Sequence, residues 1–387
     1  MKKKIKIAVF FPSSNQYYLD ILLEFKKYFE NLNYEFFGFT NLINENLLNK
    51  IVKENKIDVI FEMNRTRFQI PRLDKKVIHI AWMVDCGNYS YKEIDKSEIL
   101  YFWGRNWFDN YKKNFLKNKD IKILDWLPPA GTSSFLKRKK TINKKKIIDI
   151  SFYGHIPRPW CKNELNRFVD KQKTLNFRKF IKYFNEKIKT FDVSSFDNLS
   201  YFQIAKKILQ KKNIDILEND KKLFYDISCR NLRYGRIDMI NLILKCNKNL
   251  NIYGTKNWID YKNFELYYKG YLESKDAIFE MINNSKIVLH EGVGLHDRFF
   301  DTILMNGFIM YYKTDYDQKN GLITNFFEEE KELITFNKFD AIAKIEKYLK
   351  DDNARNKIQK IAYKKIKNNH LWKHRISIIN KHILKII

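Results

Sequence analysis

The chain has 387 residues, a formal net charge of +28 and 44% apolar residues, with 31 Phe and 23 Tyr. Its length exceeds the size at which one core stops growing, so two domains are the default, and the apolar and aromatic content excludes a disordered chain. No segment reaches the apolar length of a membrane span, and the start MKKKIKIAVFFPSS lacks the long apolar region and small-residue cleavage site of a signal peptide.

Residues 5–11 (IKIAVFF) form a continuous apolar run, the pattern of a strand buried on both faces. An amphipathic helix follows through Leu19, Leu22, Leu23, Phe25, Tyr28 and Phe29, then a strand over Tyr34–Phe39 and a helix over Leu42–Lys53. Further strands are expected from Ile57 (IDVIFEM), over Val77–Trp82, Ile99–Trp103 and Ile121–Leu127, with a helix over Asn106–Leu116. This alternation predicts a doubly wound sheet with its ligand-facing loops at the strand carboxyl ends. The segment LPPAGTSSF, Leu127–Phe135, breaks the pattern, and two lysine-rich runs, 137–140 and 144–146, follow it. These runs read as a solvated linker or as a contact for phosphate or lipid.

A second series begins with DISFYG, residues 149–154. The charge-rich stretch of about 161–225 exceeds a plain crossover, and FRKFIKYFNEKI within it is amphipathic, which predicts an inserted helical subdomain. Ile287–Leu289 and Phe308–Tyr312 are apolar strands flanking a helix through Phe299, Phe300, Ile303 and Leu304, with Gly307 as its left-handed stop. Gly292 and Gly294 lie where the first of these strands meets the helix, and Arg298 lies in its first turn. Free amides, the helix dipole and a guanidinium there suit a diphosphate, and Asp301 could accept from sugar hydroxyls. The same pattern is also that of an ordinary βαβ turn with a surface arginine. Helices over 339–349 and 354–366 close the series, before a tail with Trp372.

These blocks resemble, in order, the CgeB-like and spore-protein YkvP-like glycosyltransferases. The resemblance rests on DISFYG, on ISCRNLRYGRIDMINLILKCNKNLNIYGTKNW from Ile227 to Trp258, and on YKGYLESKDAIFEMINNSKIVLHE from Tyr268 to Glu291. It extends through Arg298, Phe299, Phe300 and Asp301 to NNHLWKHR, Asn368–Arg375, and covers residues 147–380. It departs from the group at Asp301, where Glu is common, and at Gly307, one residue further on than the group places it.

The resemblance implies a GT-B fold, two Rossmann-like domains facing across a cleft with a helical insertion in the second. The expected division is 1–135 on the acceptor side, a basic linker over 136–146, a donor domain over 147–367, and a helical tail over 368–387 that crosses back. It implies transfer of a sugar from a nucleotide-sugar donor to a surface glycan, a lipid-linked glycan or a protein. No metal or other cofactor is expected, and the DYD at Asp315–Asp317 reads as a chance match. The donor-binding set is Gly254, Lys256, His290, Glu291, Gly292, Gly294, Arg298 and Asp301. For the base, Asp85 after HIAWMVD comes first and His155 after SFYG second, each with an alternative reading as a turn or loop residue. The rival class is a non-catalytic module that binds an anionic partner on the same scaffold, and a nucleotide-sugar epimerase is a third.

The lysines are spread among abundant Asn and Ile, as an AT-rich coding sequence produces. No zinc finger, RNP-like motif or zipper accompanies them, so nucleic acid is not an expected partner, whereas anionic phospholipid is. Cys86, Cys161, Cys229 and Cys246 have neither CxxC nor zinc-finger spacing and read as free thiols. A cytoplasmic protein, peripheral to the inner face of the membrane, is the localisation this implies.

Overall fold

Runs of apolar residues without polar interruption require cover on both faces, and they become the inner strands of two parallel sheets. The computed structural model describes residues 4–84, 94–115, 120–137, 146–188, 210, 235–245, 249–291, 295–313, 323 and 326–387. One unit comprises Met1–Lys137, His296–Asp301 and Lys365–Ile387, the other Arg138–Leu295 and Thr302–Lys364.

The sheet of the first unit consists of β1 (Lys6–Phe10), β2 (Glu35–Phe39), β3 (Val59–Met63), β4 (Ile78–Met83), β5 (Ile99–Phe102) and β6 (Ile123–Trp126). All pairings are parallel, in the order β2-β1-β3-β4-β5-β6. Strands β3, β4 and β5 are buried along their whole length, whereas the edge strands β2 and β6 are only partly covered. Helix α1 (Gln16–Asn31) starts where the Asn15 side chain accepts from the Tyr18 amide. Helix α2 (Glu45–Asn55) is capped likewise by Asn44, which explains why it starts three residues after Leu42, and it ends on Lys56 in the left-handed conformation. Helix α3 spans Arg105–Phe115 and buries Phe108 and Tyr111.

The sheet of the second unit has the parallel order β11-β10-β9-β7-β8. Its strands are β7 (Ile148–Tyr153), β8 (Leu250–Tyr253), β9 (Ser285–Glu291), β10 (Ile309–Tyr312) and β11 (Ile334–Phe336). Of the expected insertion over 161–225, the described part holds helices α4 (Lys162–Asn166) and α5 (Phe177–Ile188), where Phe177, Phe180 and Phe184 are buried. Residues 235–244 form helix α6, and α7 is Lys275–Asn284. Helix α8 (Asp297–Leu304) follows β9, and α9 (Ala341–Lys350), α10 (Asp352–Asn369) and α11 (Trp372–Ile383) complete the chain. Most of the lysine-rich linker lies outside the described residues, but Lys146 donates to the Ser285 carbonyl at 2.9 Å. Burial pushes its ammonium pKa down to about 8.

Helix α11 belongs to the first unit. Trp372, Ile376, Ile379 and Ile383 are fully buried there, with the Trp372 ring 5.7 Å from Phe25 and 5.6 Å from Trp82. Gly131 pairs with Leu371, and the Arg375 guanidinium donates to the carbonyls of Pro128 at 3.0 Å and Pro129 at 3.2 Å.

Two expectations need correction. The left-handed residue ending α8 is Asn306, at φ 70°, and not Gly307. Glycine is needed at 307 for space, because a Cβ there would lie 2.6 Å from Thr302 Cγ2 and 2.8 Å from Ile282 Cγ2. Strand β11 was not expected, since three residues carry too little periodicity to mark a strand.

Candidate functional site

In an open parallel sheet, ligands bind beyond the carboxyl ends at the point where strand order reverses. In the second unit that point lies between β7 and β9, with β8 on the far side of β7. Its residues are therefore those that follow Tyr153, Tyr253 and Glu291.

The loops after β7 and β8 are pressed together. Gly254 has φ 146°, and a Cβ on it would fall 2.0 Å from the Gly154 carbonyl oxygen. Beyond it, Trp258 Nε1 donates to Gly154 O, Asn257 Nδ2 to Ile156 O and Tyr261 Oη to Pro157 O, each at 2.8 Å. The loop carrying His155 is thus fixed along its backbone, with the His155 side chain exposed. Lys256 is exposed and has no ion pair among the described residues. Backbone strain and overpacking each cost about 1–3 kcal/mol. Gly254→Ala should therefore lose on the order of 3 kcal/mol or more in denaturant unfolding, and an unchanged midpoint would show that the two loops can separate freely.

At the end of β9, the His290 ring is buried, stacks on Tyr311 at 5.7 Å and donates from Nδ1 to the Glu291 carbonyl at 2.9 Å. Glu291 is fully buried, and Arg236 Nε donates to its Oε1 at 2.7 Å. The same guanidinium, itself 6% exposed, also donates to the His155 carbonyl. One residue near the start of the described part of α6 thereby ties the end of β9 to the loop after β7. Sequence reasoning included Arg236 in a motif without giving it a role. Gly292, Gly294 and Asp85 lie outside the described residues, as does the DYD at Asp315–Asp317.

The chain then enters the His296–Asp301 segment, which belongs to the first unit. His296 Nδ1 stands 2.5 Å from Asp297 Oδ1, and the His296 ring meets Trp103 edge-on at 6.2 Å. The Arg298 amide also points to Nδ1, at 3.2 Å, but one ring nitrogen cannot donate and accept together. The charge on Asp297 decides between them. Burial raises the Asp297 pKa, but the His296 and Arg298 charges and their hydrogen bonds outweigh it and hold the carboxyl below its ordinary range. The anionic carboxylate accepts from Nδ1–H, so that in the neutral imidazole the lone pair lies on Nε2, with the side chain 44% exposed. Tyr17 hydrogen-bonds the same carboxylate, and burial together with the Asp297 charge pushes its phenol well above 10, so it stays a donor.

Asp301 accepts from the Thr132 amide at 2.8 Å and from its hydroxyl at 3.4 Å. Neighbouring Ser133 donates through its amide and hydroxyl to Glu24, at 3.0 and 2.7 Å. The His296–Asp297 pair and Tyr17 were missed from sequence. The only available signal was adjacency, HDR at 296–298 directly after the glycine loop.

Among the described residues, no group of three or more His, Cys, Asp or Glu side chains converges as a metal site, and no helix is long and apolar enough to cross a membrane. Cys161 is a free, exposed thiol, and the other three cysteines lie outside the described residues.

No curated protein matches the sequence. Residues 236–381 match a family model described as glycosyl transferase-like. Among solved structures, HepE of Anabaena in complex with UDP aligns with a TM-score of 0.53 at 9% identity, over 99% of this chain and 100% of that one. HepE in complex with UDP-glucose gives 0.52, again at 9% identity, over 98% and 100%. The DNA-modifying enzyme beta-glucosyltransferase gives 0.53 at 10% identity, over 98% and 99%. Two parallel α/β sheets, those alignments and a glycosyl transferase-like domain over residues 236–381 together show a GT-B glycosyltransferase fold.

Proposed function

We propose that the protein transfers a sugar from a nucleotide-sugar donor to a hydroxyl on a glycan, a lipid-linked glycan or a protein. The observation that carries this reading is that the glycosyl transferase-like match, 236–381, contains Gly254, Lys256 and the 292–298 segment, which follow the carboxyl ends of β8 and β9. Arg298 in the first turn of α8 and the positive end of that helix's dipole supply the field for a departing diphosphate. Protein cations, and not a metal, carry that charge. Buried His290 and Glu291 hold the end of β9, the strand that leads to Gly292 and Gly294. Asp301, one turn into α8 with its carboxylate accepting from Thr132, is the residue we assign to a sugar hydroxyl.

His296 is the base. Its Nε2 takes the proton of the acceptor hydroxyl as that oxygen bonds to the anomeric carbon and the bond from carbon to the diphosphate oxygen breaks. Asp297 keeps the ring in the tautomer that can accept, and Tyr17 keeps Asp297 in place. This assignment places the base two residues before the diphosphate arginine, in preference to Asp85 or His155.

A thermal-shift screen against UDP, GDP, ADP, CMP and dTDP identifies the nucleotide, since a ligand at about 100 times its dissociation constant stabilises by about 2.7 kcal/mol. Arg298→Ala should then lose roughly ten- to a hundredfold in affinity for the diphosphate, as expected for a charge-assisted contact of about 1.5–3 kcal/mol, and little for the nucleoside. Calorimetry with both ligands reads the difference. Equal losses would mean that Arg298 supports the fold and not the phosphate.

A further inference from the structure

The opposite edge of the first unit's sheet, where strands begin, has no part in the chemistry above. Two adjoining hollows lie there, of about 500 and 420 Å³, both lined by Asp58, Lys76 and Val77. The first is also lined by Lys53, Lys56 and Arg72, and the second by Lys4, Lys75 and Lys122. All six lysines are exposed, and none has an ion pair among the described residues. The three acids nearby are already engaged. Asp58 accepts from the Lys6 amide, Asp74 from the Lys76 amide, and Glu98 from Arg67 and the His79 amide. Arg72 is matched by Glu45 at 2.7 Å. What remains is a face of six lysines against two carboxylates, Asp58 and Asp74, a net excess of positive charge over an aliphatic floor that includes Ile5, Val52, Val77 and Ile78.

We propose that this face docks on an anionic phospholipid surface. Lysines are mobile point charges that suit a diffuse layer of phosphodiester headgroups, whereas recognition of one phosphate in fixed geometry favours arginine forks. Nucleic acid is the less fitting polyanion, because the hollows have no aromatic residue to stack a base and their one arginine is paired. Ile5, Ile386 and Ile387, the last 67% exposed, lie beside these lysines and match the boundary between headgroup and acyl chain. Docking by the strand-starting edge leaves the strand carboxyl ends of the same sheet free.

The test is co-sedimentation of the full chain with vesicles of phosphatidylcholine alone or doped with phosphatidylglycerol. Binding to the doped vesicles only is expected, weakening as salt is added. The combined Lys75→Gln, Lys76→Gln and Lys122→Gln variant removes three charges of about 1 kcal/mol each, so on the order of a hundredfold in affinity should be lost. Lys357→Gln, Lys360→Gln and Lys364→Gln remove the same net charge from exposed positions on α10 and should lose far less. Unchanged thermal midpoints confirm that both variants are folded. Equal losses in the two variants, or no binding by the wild type, would overturn the proposal. So would a loss confined to a duplex DNA probe, which would give the face to nucleic acid.

Discussion

His296→Gln should lower turnover by about 10²–10⁴-fold, the range a positioned general base supplies, with affinity for the nucleotide diphosphate nearly unchanged. Glutamine keeps the polarity and approximate length of the side chain but has no lone pair that can take a proton at neutral pH. Because the base acts on the acceptor hydroxyl, its loss belongs in kcat and not in donor binding. Asp297→Asn should fall in the same direction. An amide beside Nδ1 no longer demands a proton there, and the ring can turn its N–H toward the acceptor instead. Calorimetric donor affinity and product formation, measured on the same preparations, separate the two effects. Wild-type turnover in His296→Gln would return the role to Asp85 or His155, or show that no base is needed. Parallel losses in affinity and turnover would make the pair part of the scaffold.

Arg236→Met should cost about 3–5 kcal/mol of stability, because it removes a charged, hydrogen-bonded donor from the carboxylate of Glu291, which has no exposure to water. The same change releases the His155 carbonyl, so the loop after β7 loses its tie to the end of β9. In denaturant unfolding the midpoint should fall at constant slope. Pairing Arg236→Met with Glu291→Met should recover most of the loss, since an apolar pair carries no unmet charge. A cost under about 1 kcal/mol for the single change would place the ion pair in the class of solvent-screened surface pairs. Failure of the double variant to recover would locate the energy in the His155 contact.

The two sheets were legible because their inner strands carry apolar runs, Val59–Phe61 ahead of Glu62, Ile99–Phe102, and Ile287–Leu289 within Ser285–Glu291, set in a repeated alternation of strand and helix. Helix starts were less legible, and α2 shows why. Its apolar pattern begins at Leu42, but the backbone turns helical only after Asn44 supplies a side-chain oxygen. Arg298 and Lys256 could be singled out because a glycine-bearing strand end beside a cation is a local pattern. Arg236 and Glu291 lie 55 residues apart, and no spacing rule joins them. The His296–Asp297 pair is local, yet its chemistry depends on Tyr17 and Trp103 from elements far earlier in the chain. Gly307 was recognised as a constrained position for the wrong reason, since its constraint comes from Thr302 on α8 and from Ile282 on α7.

The seating of Trp372 against Phe25 and Trp82 has a consequence for synthesis on the ribosome. Domains generally fold in the order in which they emerge, but this first unit lacks a wall of its core until the end of the chain appears. The roughly 230 residues between Lys137 and Trp372 take on the order of ten to fifty seconds to add at about 5–20 residues per second. Through that interval the nascent chain carries an uncovered aromatic surface that holdase chaperones would recognise. A stalled nascent chain ending before residue 372 should therefore remain protease-sensitive in its first 137 residues, and one extended past residue 383 and clear of the exit tunnel should become resistant.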